Sequence, residues 1–228
     1  MMSSIVLAAA YLIGAIPFAW IAGRAFFGID LRKAGSGNIG ATNLARVAPK
    51  PWGPVAAALA LLLDAGKGAA AAIGAQPLES ILSAEPAAAW LPAAAAACAI
   101  LGHSFSAFLR FRGGKSVAVS AGAFLALMPA AAGCALGVWA LVFAATRIVS
   151  LSSIVATAAL PVAYALLPAA PGGRTGALAA LAIAASVLVA WRHRSNLVRL
   201  FAGTENRLSL DRRERNTGEG PPRGPENP

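Results

Sequence analysis

Charge is scarce in this chain. Of its 228 residues only 12% are Asp, Glu, Lys or Arg, while 58% are hydrophobic, which excludes an ordinary soluble domain. Strand-like alternation is also scarce. The apolar residues fall instead into Ala- and Leu-rich runs of roughly 15–25 residues, the length of membrane helices, and helices satisfy their own backbone in lipid. Only two cysteines occur, Cys98 and Cys134, both inside apolar runs. Neither has ligands at metal spacing, so both read as small packing residues, with no metal or disulfide. Aromatic residues make up 7% and are not interleaved with the basic ones. Despite a net charge of +10, no nucleic-acid surface is expected. No Lys or Arg precedes the first apolar run, which therefore lacks the basic region of a secretory signal peptide.

What is present is a series of seven apolar runs: residues 4–23, 54–76, 88–108, 117–128, 130–146, 154–168 and 175–191. Pro17 is a kink site within the first. The fourth is short for a span and reads either as a helix that begins within the preceding loop or as a half-helix. Gly133 and Gly137 give the fifth a small-residue face suited to close packing. Arg24, Arg32 and Lys33 follow the first run, and Arg147 marks the turn at 146–153. The loop at 77–87 carries Glu79 and Glu85 but no base, and Pro168–Arg174 forms a second outside turn. The basic bias implies an amino terminus outside and a carboxyl terminus in the cytoplasm. The expectation is an all-α polytopic membrane protein of seven transmembrane helices. Residues 1–207 form the membrane domain and 208–228 a disordered charged tail.

The polar residues cluster. Arg112-Gly113-Gly114-Lys115-Ser116 lies between two apolar runs. Two adjacent glycines let backbone N–H groups converge on one point, and a helix starting at Ser116 would aim its positive end there. That describes an anion site, most naturally for phosphate. It is not a nucleotide P-loop, because the glycine needed five positions before Gly114 is Leu109 and no strand precedes it. Gly35-Ser36-Gly37-Asn38-Ile39-Gly40-Ala41-Thr42-Asn43 forms a second donor-rich turn, with Arg46 able to grip phosphate beside it. His103 ends the third run, and His193 and Asn196 share a face after the seventh. Asp64 and Lys67, three apart inside the second run, read equally as a structural ion pair or an active-site wall. All the loop clusters fall on one side of the membrane, which suggests a single polar site for anions. A transporter of a phosphorylated solute is the alternative, but no internal repeat supports it. A scaffold would leave the clustered Asn, Gly and Arg unexplained.

These segments, in the same order over about residues 4–207, resemble the bacterial acyl-phosphate glycerol-3-phosphate acyltransferases, the PlsY family. The resemblance rests on Ser36 to Arg46, Asp64 to Gly68, Gly102-His103 through Lys115, Thr146 to Ser153, and Arg192 to Asn196 with Gly203-Thr204-Glu205-Asn206. Ser116 stands where the family usually has glycine, Ser106 where it commonly has proline, and the usual Ala-Thr is changed near Val119. A hydroxyl at Ser116 is expected to cap the following helix. The resemblance implies acyl transfer from acyl phosphate to the 1-hydroxyl of glycerol 3-phosphate. The products are lysophosphatidic acid and phosphate. It implies no cofactor, and a monomer in the bacterial inner membrane with its site facing the cytoplasm. No carboxylate–His–nucleophile triad can be assembled from the motifs, so no covalent acyl-enzyme is expected. The resemblance assigns glycerol 3-phosphate to Ser36, Arg46, Lys115, His193 and Asn196. Asn38, Gly40, Thr42, Asn43, Gly113, Gly114 and Ser150 would line the acyl-phosphate side, with His103 in reach of either phosphate.

Overall fold

The computed structural model describes residues 1–82, 90–167 and 176–208. Ten α-helices account for most of them: α1 Met2–Ala15, α2 Phe18–Phe27, α3 Ala41–Val47, α4 Trp52–Leu82, α5 Leu91–Ser104, α6 Val117–Leu127, α7 Pro129–Thr146, α8 Val149–Leu166, α9 Gly176–Arg192 and α10 Arg194–Phe201. A short 3-10 turn, Ala107–Leu109, follows α5. Among the described residues, five segments are long and apolar enough to cross a membrane, or six if α9 and α10, bent by 60°, count as one. α6 has 11 residues and spans roughly half a bilayer core.

Burial follows the logic of lipid. The buried hydrophobic residues are mostly alanine, while Leu59, Leu62, Leu141, Val162 and Ile183 point outward. Between helices in a bilayer there is little hydrophobic drive, so close backbone approach by small residues holds the bundle together. A Cβ added at Gly14 would overlap Ala99, and one at Gly102 would overlap Tyr11, which locks α1 against α5. Gly68 meets the Val119 carbonyl and Gly122 meets Ala65, which locks α4 against α6. Gly133 and Gly137, expected to form such a face, have nothing within 4 Å, because α7 turns that side outward.

Pro17 does more than kink the first run. The helix breaks at Ile16–Pro17, and distant side chains take the carbonyls at the break. Ser106 Oγ donates to Ala15 O at 2.6 Å and Lys67 Nζ to Ile16 O at 2.6 Å. Three boundaries also differ from expectation. The turn at 146–153 shrinks to Arg147 and Ile148. Thr146 Oγ1 accepts the Ile148 N–H, and Ser152 and Ser153 satisfy their hydroxyls on helical carbonyls four residues back. α4 continues through Pro77 to Leu82, so the first half of the expected 77–87 loop is helical. α5 stops at Ser104, four residues short of the expected 108. The remainder of that loop, the whole of the Pro168–Arg174 turn and the tail after Leu208 lie outside the described residues. Leu208 itself donates its N–H to Arg147 O at 2.8 Å. Cys98 is half-buried, whereas Cys134, expected to pack, is exposed.

Candidate functional site

The Gly35–Asn43 turn is built around one amide. Asn43 is 2% exposed. Its Oδ1 accepts the Ser36 N–H at 2.9 Å, and its Nδ2 faces the carbonyls of Leu31, Ala34 and Asn38 at 3.2, 2.9 and 2.9 Å. Gly35, at φ +56°, leaves room for that oxygen, which any Cβ would overlap. Asn38 Oδ1 accepts the Gly40 N–H at 2.9 Å, in the turn just before α3. Asn43 and Asn38 therefore shape the loop with atoms that a ligand would otherwise need. Ser36, Thr42 and Arg46 remain exposed on it.

The loop from Gly113 to Ser116 departs from the expected anion nest. Gly113 N–H donates to Ser104 O at 3.2 Å and Gly114 N–H to His103 O at 2.9 Å, both at the end of α5. Their carbonyls accept from Arg192, Nη2 to Gly113 at 2.5 Å and Nε to Gly114 at 2.9 Å. Arg192 also lies over the rings of Phe105 and Trp191. The N–H and carbonyl of both glycines are thus paired within the protein. Ser116 does not cap α6. It sits at φ +60°, and its hydroxyl donates to Ile100 O at 2.8 Å and pairs with Ser104 Oγ at 2.6 Å. That left-handed backbone is the physical reason a glycine suits the position.

Lys115 reaches across to the last helices. Its Nζ donates to Asn196 Oδ1 at 2.6 Å. Asn196 Nδ2 donates to Glu205 Oε1 at 2.6 Å, and Ser150 Oγ donates to the same oxygen at 2.8 Å. Arg199 Nε donates to Glu205 Oε2 at 2.7 Å. Ser150 from α8 and Asn196 and Arg199 from α10 so converge on one carboxylate, and Lys115 joins them through Asn196. Burial pushes Lys115 down to about 8; Glu205 opposes the shift, and Arg199, Arg46 and Arg192 reinforce it. Arg46, although exposed, is therefore within electrostatic reach of Lys115. Glu205 is raised by burial but lowered more by the bonds from Asn196, Ser150 and Arg199, and stays below the ordinary glutamate value.

His193 sits at the break between α9 and α10 and is 2% exposed. Its Nδ1 lies 2.8 Å from Val189 O. A carbonyl can only accept, so Nδ1 carries the proton and Nε2 is the nitrogen left for a ligand. His103 is buried beside Gly114 and faces Lys67, which pairs with Asp64 at 2.7 Å. Lys115, Asn196, His193 and Ser150 thus come together, with Arg46 nearby. Ser36 lies on the neighbouring loop and has an exposed side chain. Glu205, Arg199 and Arg192 are the residues missed by the sequence reading. Glu205 was visible in Gly203-Thr204-Glu205-Asn206, but nothing in the sequence showed that it anchors Asn196.

Lys115, with Arg46 in electrostatic reach, and the fixed side chains of Asn196, His193 and Ser150 form a cationic, donor-bearing cluster suited to phosphate-bearing ligands. The family model described as glycerol-3-phosphate acyltransferase matches residues 4–203. Relatives carrying that name include one from Synechococcus elongatus, 44% identical over 200 residues that cover 87% of this chain and 91% of the relative. One from Gloeobacter violaceus is 42% identical over 205 residues, covering 88% and 92%. One from Desulforudis audaxviator is 37% identical over 211 residues, covering 90% and 96%. Among solved structures, the crystal structure of PlsY, an integral membrane glycerol 3-phosphate acyltransferase, superposes in its glycerol 3-phosphate form with a TM-score of 0.80 at 32% identity. It covers 92% of this chain and 96% of that one. The lysophosphatidic acid form gives a TM-score of 0.78 with the same identity and coverage. With a match this long, and with the polar clusters on the same framework, the chain belongs to the PlsY family of integral-membrane glycerol-3-phosphate acyltransferases.

Proposed function

We propose that this protein transfers a fatty acyl group from acyl phosphate to the 1-hydroxyl of glycerol 3-phosphate. The observation that carries the reading is the Lys115–Asn196–Glu205 chain, which holds an ammonium group beside His193 and within reach of Arg46. Relatives named for acylation of glycerol 3-phosphate, and a neighbour solved with that molecule, support the same substrate.

Acyl phosphate is already activated, so the protein needs chiefly to hold two anions and stabilise developing charge. Lys115 and Arg46 neutralise the phosphate of glycerol 3-phosphate. Ser36 and Asn196 orient it, and His193 presents Nε2 to it. The 1-hydroxyl oxygen attacks the acyl carbon, and the bond to the donor phosphate breaks. The hydroxyl proton passes to that phosphate, giving lysophosphatidic acid and inorganic phosphate. No side-chain nucleophile is placed with a base and an orienting partner in this reading, so no acyl-enzyme is invoked.

In the same reading α6 is the seventh crossing and the amino terminus lies outside. The site opens to the cytoplasmic face of a bacterial inner membrane, with the basic tail on that side, and the protein works as a monomer. The test is purified protein in lipid, given acyl phosphate and glycerol 3-phosphate. Lysophosphatidic acid and phosphate appearing in equal amounts support the proposal. Transport of glycerol 3-phosphate into vesicles without acyl transfer would replace it with the transporter.

A further inference from the structure

Lys67 is a buried cation inside a membrane helix, 5% exposed, and the chemistry above makes no use of it. Its ammonium forms an ion pair with Asp64 Oδ1 at 2.7 Å and hydrogen bonds with two further atoms, Ile16 O at 2.6 Å and His103 Nδ1 at 2.9 Å. An ammonium can only donate, so His103 Nδ1 has to accept. Asp64 Oδ1 lies 3.6 Å from that nitrogen, too far to replace Lys67 as its partner. A proton on Nδ1 would face the ammonium donor-to-donor. The proton of the neutral ring therefore sits on Nε2.

Nε2 lies against Gly114. A Cβ there would overlap it, so the glycine leaves a gap through which the N–H faces the loop. Both glycine amides are bonded to α5, and both carbonyls to Arg192. The side-chain donor packed against Gly114 is His103 Nε2.

Resting on the acyltransfer reading, we infer that His103 donates its Nε2–H to an oxygen of the acyl phosphate, and that Asp64 and Lys67 are positioning residues that hold His103 in the donating tautomer. Negative charge grows on the donor's carbonyl and phosphate oxygens as the hydroxyl attacks, and a fixed N–H there lowers the barrier. The proton is shared and not transferred, so the balance of the reaction is unchanged. A buried ion pair adds little to stability compared with an apolar pair of the same shape. Fixing one imidazole orientation gives this one a use.

The chain contains two histidines, which makes the test direct. In full-length protein, labelled with 15N-histidine and freed of any affinity tag, NMR should show one ring protonated on Nδ1 and one on Nε2. The His103→Ala variant should lose the Nε2–H signal. Deleting a donor of this kind lowers kcat by about 10²–10³-fold. Both Lys67→Met and His103→Ala should approach that loss, with the KM for glycerol 3-phosphate changed by less than about twofold, the pattern of a transition-state interaction. His103→Gln, which keeps an N–H, should recover part of kcat. A wild-type His103 protonated on Nδ1 or on both nitrogens overturns the inference, whether or not the variants fold. So does a Lys67→Met enzyme with wild-type kcat. The tautomer is read without turnover, so it separates this inference from a failure of acyl transfer itself.

Discussion

Lys115 Nζ and Asn196 Oδ1 are joined at 2.6 Å although 81 residues separate them in the chain. Asn196 Nδ2 is held at 2.6 Å by Glu205, so the amide cannot flip without placing a donor against the ammonium. The charge of Lys115 therefore has a fixed position, and its protonation controls the site.

That gives a pH prediction with a definite sign. Lys115 titrates at about 8 in the folded protein, below the ordinary 10.5. The cationic form binds phosphate, so kcat/KM for glycerol 3-phosphate should fall as pH rises through about 8, approaching tenfold per pH unit. Stability should move oppositely. Between about 8 and 10.5 the unfolded chain binds more protons than the folded one, so the ligand-free protein gains stability across that window. Lys115→Met should lose turnover and also lose the alkaline gain in thermal stability. An alkaline gain that survives the substitution would assign the titration to another group.

Arg46 is exposed, so its side chain supports the fold little. Arg46→Ala should raise the KM for glycerol 3-phosphate by about 10–100-fold, the equivalent of the roughly 1.5–3 kcal/mol carried by a hydrogen bond to a charged group. Its unfolding temperature should stay near wild type. Steady-state kinetics at saturating acyl phosphate check this, and an unchanged KM removes Arg46 from the phosphate site.

The helical runs were legible because lipid imposes length and composition on them. Lys115, Asn196 and His193 were legible because basic and amide side chains between apolar runs are conspicuous. What stayed hidden were three-body arrangements. Asn43 looks like a ligand in the sequence, yet its amide is occupied by four backbone groups of its own loop. Gly113 and Gly114 suggest a nest, yet their amides pair with the end of α5, a contact set by helix packing and not by local spacing. Gly133 and Gly137 have the right spacing for close packing, but spacing does not say which side of α7 meets a neighbour.

Ser116 makes a testable pair of substitutions. Its φ of +60° is strained for a residue with a Cβ, by about 1–2 kcal/mol. Its two hydrogen bonds, to Ile100 O and with Ser104 Oγ, offset that with about 1 kcal/mol each. Ser116→Gly loses the bonds but relieves the backbone and should be close to neutral. Ser116→Ala loses the bonds and keeps the strain, so it should unfold at a distinctly lower temperature. Equal unfolding temperatures for the two variants would mean that the left-handed backbone carries no strain, and a Ser116→Ala protein that unfolds with wild type would mean that the hydroxyl contributes nothing.

Glu205 gathers Ser150, Asn196 and Arg199. Its carboxyl is held below the ordinary value, so the stability it contributes is present above about 4.5 and is lost as pH falls through the lower folded value. Glu205→Gln keeps the shape but turns one oxygen into a donor facing donors. It should lower kcat by releasing Asn196 and, with it, Lys115, and it should reduce the acid-induced loss of stability. Wild-type kcat in this variant would show that Lys115 needs no anchor.

The α4–α6 contact links packing to chemistry, because α6 begins two residues after Lys115. A Cβ on Gly122 would overlap Ala65 backbone, which cannot move away as a flexible side chain can. Gly122→Ala should therefore push α6 outward, lower the unfolding temperature and reduce activity together. Gly133 has open space around it and lies inside α7. Gly133→Ala should leave activity intact and stabilise the helix by up to about 1 kcal/mol, the propensity difference between the two residues. The two changes are chemically identical, so the contrast isolates backbone approach from helix propensity. If both variants behave alike, in activity and in thermal unfolding, then tight apposition of α4 and α6 is not what places Lys115.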